Sequence, residues 1–231
     1  MLRASSPSLS LSAPLLFARR SGLRGTSHRP TLSKKHDRFH DPGAAALAAL
    51  LGANVGVFFL WKSAPKPFMV KNFTLQGGSL GTQRPHTFLT HMVSHQDFFH
   101  LLSNTITLYF FGSHVAGVKL AGRSVLAPLY LTAGLVAAAA QLSAMPHPSS
   151  FMLGSSGAVS GIVMTSIILQ PRATVYLYGL LPVPAALFGL GFILYDTLAA
   201  RSGDGIGHYA HLAGAFVGVV AGVAIRRGVR F

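Results

Sequence analysis

The chain reads as an all-α membrane protein, one polytopic domain of six apolar helices behind a basic N-terminal segment. Half of its 231 residues are hydrophobic and only 10% are charged. Its mean hydropathy is +0.48, far from the soluble average. Stretches of about 20 apolar residues, enough to cross a bilayer, lie at roughly 43–61, 98–118, 124–143, 151–170, 174–198 and 206–225. Little chain is left for a second folded domain. The boundaries expected are 1–38 for the leader and 39–231 for the membrane domain.

The leader comes first. Eight of the nineteen Lys and Arg residues fall in the first forty positions, with eight serines and a single acid, Asp37. A basic, serine-rich, acid-poor N-terminus has the composition of an organelle transit peptide. The start Met1-Leu2-Arg3, followed by Arg19, Arg20, Arg24 and Arg29, leans mitochondrial, whereas the serine content also suits a plastid. The alternative, a disordered nucleic-acid-binding arm, is out of place on an otherwise intramembrane chain, so the net charge of +14 implies no nucleic-acid partner. With six spans, Lys119, Arg123, Arg172, Arg226, Arg227 and Arg230 share a side with both termini. The positive-inside bias then puts the termini in the matrix or stroma.

The runs at 43–61, 124–143 and 174–198 are spans by length and apolarity. The other three also carry polar chemistry. The second is entered through His95-Gln96-Asp97 and begins Phe98-Phe99-His100, and Asn104 lies one helical turn beyond His100, on the same face. Both side chains can donate a hydrogen bond to a developing negative oxygen. The fourth run holds Gly154-Ser155-Ser156-Gly157 near its start. Flanking glycines permit a sharp backbone turn and a close carbonyl approach, and a helix N-terminus supplies unpaired N–H groups for an oxyanion. Alone, the pattern is also what close helix packing produces, and spacing leaves Ser155 open beside Ser156.

The sixth run begins His208-Tyr209-Ala210-His211 and continues with Gly214, Gly218 and Gly222. Ala210 and these glycines form a small-residue stripe, and Gly157 and Gly161 offer a matching face. Packing the two faces together brings Ser156 and His211 within hydrogen-bond reach, the requirement for an activated serine. An ionisable residue inside a membrane helix is a functional candidate by default, which makes His211 the expected base. His208, off the stripe, is read as a solvated end residue. On the topology above, the second, fourth and sixth spans begin on one side, so His100, Ser156 and His211 share a depth.

Other chemistries are excluded by composition. The chain has no glutamate and no cysteine, which removes His-Glu-x-x-His zinc sites, thiolate metal sites and disulfides. Asp196 and Asp204 sit at or beyond helix ends, which disfavours an aspartyl dyad. A serine triad would need Asp97, at the entry of the second span. His86, His91, His95, His100 and His114 suggest haem ligation, but only His211 offers a partner at matched depth. No cofactor and no metal are expected. A small transporter would show an inverted repeat, and none is visible.

Taken together, His95-x4-His100-x3-Asn104, Gly154-Ser155-Ser156-Gly157 and Ala210-His211-x2-Gly214-x3-Gly218 resemble the rhomboid family of intramembrane serine proteases. The likeness covers about residues 43–227, and Thr87–Thr90 through Gly112 resembles the mitochondrial branch. The resemblance implies a six-helix bundle, a Ser156–His211 catalytic dyad, and an oxyanion site from the Ser156 amide, His100 and Asn104. It implies a structural role around the site for His95, Gly154, Gly157, Gly214 and Gly218. It also implies a water-filled cavity beside a basic first loop, membrane-protein substrates, and a multi-pass protein of the mitochondrial inner membrane, with a plastid membrane as the alternative. The competing reading is an inactive rhomboid-like protein that binds transmembrane clients. Two departures stand out. His86-Thr87 replaces the Trp-Arg pair of many bacterial members. Ser160 lies one turn after the serine, where an aromatic often packs on the histidine, so that histidine is expected to be less rigidly held.

Overall fold

The computed structural model describes residues 41–78, 83–120, 123–145, 147–177, 179–202 and 206–228. The segment read as a transit peptide and Asp204 lie outside them. Helix α1 (Pro42–Ser63) starts where Asp41 accepts the Gly43 N–H at 3.2 Å and Pro42 occupies the first helical position. A loop follows that carries a short helix, α2 (Lys66–Phe73), and a two-residue strand, β1 (Leu75–Gln76). It continues through α3 (Thr87–Thr90) and a 3₁₀ turn over His91–Val93.

Helix α4 (Phe98–Ala116) is N-capped by Asp97, whose carboxylate accepts the His100 N–H at 2.8 Å. Asp97 is thus spent on the backbone, as its place before the helix dictates. A tight hairpin of β2 (Lys119–Leu120) and β3 (Arg123–Ser124) leads to α5 (Leu126–Ser143). Next come β4 (Phe151–Met152), α6 (Ser156–Leu169), a second hairpin of β5 (Thr174–Leu177) and β6 (Leu181–Pro184), α7 (Ala185–Ala199) and α8 (His208–Arg226).

Helix α6 is the axis of the molecule. Every residue from Gly157 to Ile167 is buried, with α4, α5 and α8 packed around it, α1 lying on α4, and α7 against α6 and α8. Helices α1, α5 and α8 are long and apolar enough to cross a membrane. Helices α6 and α7 are apolar but only 14 and 15 residues long. Large side chains such as Phe59, Leu190, Leu198 and Phe216 face outward uncovered, an apolar exterior suited to lipid. The result is a mostly helical membrane domain.

Two expected boundaries are corrected. Thr174–Leu177 and Leu181–Pro184 are not helical: they form the β5–β6 hairpin, with Val175 opposite Val183 and Tyr176 opposite Pro182. Pro182 and Pro184 cannot supply helical N–H groups, and Gly179 turns at a φ of +74°. The fourth run likewise becomes helical only at Ser156, because Phe151 and Met152 pair with Gln76 and Leu75. That pairing anchors the first loop to the segment preceding the serine.

The loop is held without the missing Trp-Arg pair. Thr87 Oγ1 donates to the Arg84 carbonyl at 2.7 Å, Thr90 Oγ1 donates to the Asn72 carbonyl, and Trp61 Nε1 donates to Ser94 Oγ at 2.8 Å.

Candidate active site

The approach to α6 is built around Gly154. Its φ is +123°, and a Cβ there would stand 2.7 Å from His100 Cε1. Only glycine meets both demands. The Gly154 N–H donates to the His91 carbonyl at 2.9 Å, which fixes the turn that delivers two serines to the helix start in different directions. Ser155 points inward: it is 1% exposed, and its N–H donates to His95 Nε2 at 3.4 Å. Ser156 faces a cavity of about 950 Å³. Spacing could not separate the two hydroxyls, but the turn does.

His95 accepts that N–H because it is neutral. Burial, aided by the neighbouring His100, pushes its pKa down to about 3. Burial likewise lowers His91 to about 4, and the His91 ring lies 2.7 Å from the Thr87 carbonyl through Nδ1. Both histidines therefore belong to the wall that holds the turn.

His211 reaches the serine across the α6–α8 seam. A Cβ on Gly214 would fall 1.9 Å from the Gly157 carbonyl oxygen, and one on Gly218 would fall 2.1 Å from that of Gly161. The helices can approach this closely only because these positions carry no side chain. Thr165 Oγ1 crosses the seam to donate to the Gly218 carbonyl at 2.9 Å. Within this contact His211 Nε2 stands 2.9 Å from Ser156 Oγ.

His100 and Asn104 line the same cavity as Ser156 and His211. Asn104 Nδ2 donates to the His100 carbonyl at 2.9 Å, which ties the two positions together along α4. Ser160 donates to the Ser156 carbonyl at 2.8 Å. The aromatic neighbour that Ser160 cannot supply comes from α7, where the Phe192 ring lies 6.1 Å from His211, tilted by 31°.

Two residues differ from the sequence-based expectation. His208 is not a solvated end residue: it is 2% exposed, and its Nδ1 is 2.6 Å from Asp196 Oδ1. Asp196 lies in the last turn of α7, the helix end expected for it, but it is buried there, 1% exposed. The same Oδ1 is 3.1 Å from His211 Nδ1. The pattern His208-x2-His211, which puts both rings on one helical face, and the single acid of an apolar helix were the available signals. Asp196, His208 and His211 also form a triplet of possible metal ligands, their ligand atoms within 4.8 Å of one another. The 2.6 and 3.1 Å separations are N–H···O spacings, whereas zinc ligands at about 2.0–2.1 Å from the metal stand roughly 3.3 Å apart in a tetrahedron. The triplet is hydrogen-bonded as it stands.

The rhomboid domain model matches residues 82–228. The chain is 36% identical to RHOMBOID-like protein 12, mitochondrial, of Arabidopsis thaliana, over 92% of this chain and 66% of that protein. It is 31% identical to Rhomboid protein 1, mitochondrial, of Saccharomyces cerevisiae, over 78% of this chain and 53% of that one. Identity to Rhomboid-like protein 16, chloroplastic, of Arabidopsis thaliana is 30%, over 78% of this chain and 62% of that protein. The chain thus spans between about half and two thirds of the length of these relatives.

Proposed function

The chain belongs to the rhomboid family, and we propose that it is an intramembrane serine endopeptidase with Ser156 as nucleophile and His211 as general base. One observation carries the reading: Ser156 Oγ lies 2.9 Å from His211 Nε2 at a cavity of about 950 Å³ within a membrane domain.

His211 Nε2 takes the Ser156 hydroxyl proton as Oγ adds to the scissile carbonyl of a membrane-protein substrate. The carbonyl oxygen becomes an oxyanion, received by the Ser156 N–H, His100 and Asn104. On collapse the C–N bond breaks and His211 returns the proton to the leaving amine. Water then repeats the sequence to release the acyl group. His95, Gly154 and Gly157 hold the turn, and Gly214 and Gly218 bring the base to it.

Helices α1, α4, α5, α6, α7 and α8 supply six spans, with the bilayer thinned locally around the two short ones. The mitochondrial relatives and the arginine-rich start favour the mitochondrial inner membrane, with residues 1–38 as a transit peptide and both termini in the matrix. A chloroplastic relative keeps a plastid membrane as the alternative. Against an inactive client-binding role stands the retention of both Ser156 and His211 in hydrogen-bond contact.

The test is cleavage of a single-span substrate by purified protein in lipid. Ser156→Ala abolishes cleavage, and Ser155→Ala largely retains it. A dead Ser155 variant beside a working Ser156 variant would overturn the assignment. Asn104→Ala lowers turnover by about 10²–10³, the usual loss for one oxyanion donor, without unfolding the domain. Unchanged turnover across several substrates removes Asn104 from the site.

A further inference from the structure

Asp196 has no place in a two-residue mechanism, yet it occupies an unusual position. Of the carboxylates among the described residues, Asp41 and Asp97 cap helices from outside. Asp196 alone sits within a helix, 1% exposed, in an otherwise apolar segment. Removing a carboxylate from water in this way costs several kcal/mol unless partners hold it. Its partners are two imidazoles on one face of α8, both directing Nδ1 at Oδ1, from His208 at 2.6 Å and from His211 at 3.1 Å. Oδ2 has no hydrogen-bond partner among the described residues, so the carboxylate depends on this pair.

We propose that Asp196 is a positioning residue that sets the tautomer and orientation of His211, and that His208 is the clamp holding Asp196 in place. The inference rests on the reading of Ser156 and His211 as nucleophile and base. A carboxylate only accepts hydrogen bonds, so each Nδ1 facing it carries its hydrogen. A neutral imidazole has one N–H, and with it on Nδ1 the His211 Nε2 is left as a lone-pair acceptor, 2.9 Å from Ser156 Oγ. The other tautomer would present an N–H to the serine and could not take its proton.

When the Ser156 proton moves to Nε2 and the Oγ–C bond forms, His211 becomes an imidazolium beside the Asp196 carboxylate. The proton leaves again from Nε2 to the departing amine as the C–N bond breaks. Asp196 itself neither gains nor loses a proton at any step. His208 contributes a second N–H to the same oxygen, so Asp196 stays aimed while His211 changes charge.

The experiment compares wild type, Asp196→Asn, His208→Leu and His208→Asn in lipid. It measures kcat and KM for a single-span substrate, phosphonylation of Ser156 by a fluorophosphonate, and the thermal transition. Asp196→Asn keeps the size and removes the charge. It is expected to lower kcat and the labelling rate by up to about 10⁴, the loss seen when a triad aspartate is so replaced, with KM and the thermal transition little changed. His208→Leu is expected to lower kcat about tenfold, the rate cost of roughly 1.4 kcal/mol. His208→Asn, which keeps a donor near the Nδ1 position, is expected to restore most of it.

A wild-type kcat in the Asp196→Asn protein overturns the proposal, as does an equal loss in both His208 variants. If Asp196→Asn fails to fold, the His208 pair decides alone: recovery in the asparagine variant supports the clamp, and equal rates overturn it. A wild-type protein that neither cleaves nor labels at Ser156 instead defeats the underlying protease reading.

Discussion

Helix α8 is held on two sides by opposite kinds of contact, and His211 sits where they meet. Toward α6 the contact is bare backbone: Gly214 and Gly218 lie against the Gly157 and Gly161 carbonyls with no room for a methyl group. Toward α7 the contact is made by side chains, with Phe192 beside the His211 ring and Asp196 at its Nδ1. The first side sets the distance between two helices and hence between Ser156 Oγ and His211 Nε2. The second sets how one ring is turned. A backbone contact tolerates no added volume, because carbonyls cannot rotate away as side chains can. A side-chain contact tolerates loss more gradually, since its neighbours can shift to fill the space.

The largest effect is therefore expected on the glycine side. Gly218→Val adds a branched side chain where even a Cβ would stand 2.1 Å from the Gly161 carbonyl oxygen. It forces α8 outward and draws His211 from Ser156 without touching either. A shift near 1 Å can cost about 10²-fold in rate, so cleavage should collapse while the protein still inserts into the membrane. Valine at Gly189 on α7 is the matched control. A Cβ there meets side chains rather than backbone, Ile167 at 3.1 Å and Met164 Sδ at 3.4 Å, and activity should fall far less. Equal activities for the two variants, measured in detergent and in lipid, would show that the glycine seam does not set the catalytic distance.

A smaller loss is expected on the side-chain face. Phe192→Ala removes the ring lying 6.1 Å from His211 but leaves Asp196 in place. Turnover should fall by no more than about tenfold, the rate equivalent of roughly 1.4 kcal/mol, with Ser156 still open to a fluorophosphonate. A loss as deep as that of Gly218→Val would mean that Phe192, rather than the carboxylate, holds the ring.

The smallest effect at neutral pH concerns the wall behind both contacts. His91 and His95 are neutral in the fold because burial lowers them to about 4 and about 3, whereas the unfolded chain titrates near 6.5. Above that value both states are neutral and stability is indifferent to pH. As pH falls from about 6.5 toward 4 the unfolded state binds protons that the fold excludes, and stability drops by at most about 1.4 kcal/mol per pH unit for each histidine. Thermal transitions recorded from pH 7 to pH 4 should decline through this window, and His91→Asn should flatten part of the decline. A transition independent of pH over that range would refute the buried neutral state.

The family, the helical membrane class and the candidate nucleophile and base were legible in the sequence, because each rests on local chemistry. An apolar run long enough to span, a serine framed by glycines at Gly154 and Gly157, and small residues every fourth position on α8 are properties of neighbouring residues and of helical periodicity. The start of α7 differs from the expected one for a related reason: the apolar run over 174–198 continues through the β5–β6 hairpin, where Pro182 and Pro184 bar a helix.

The tertiary structure alone decided what lies behind His211. Asp196 and His208 are 12 residues apart in sequence, on different helices, and no periodicity within either helix states how the two are rotated against each other. That rotation follows from how α7 seats its side chains against α6 and α8. It turned an acid expected at a helix end and a histidine expected in solvent into a buried pair. The direction of Ser155 was hidden for the same reason, since the turn at Gly154 is fixed by a contact with His91, far away in sequence. Periodicity tells which residues share a face, and only packing tells what that face meets.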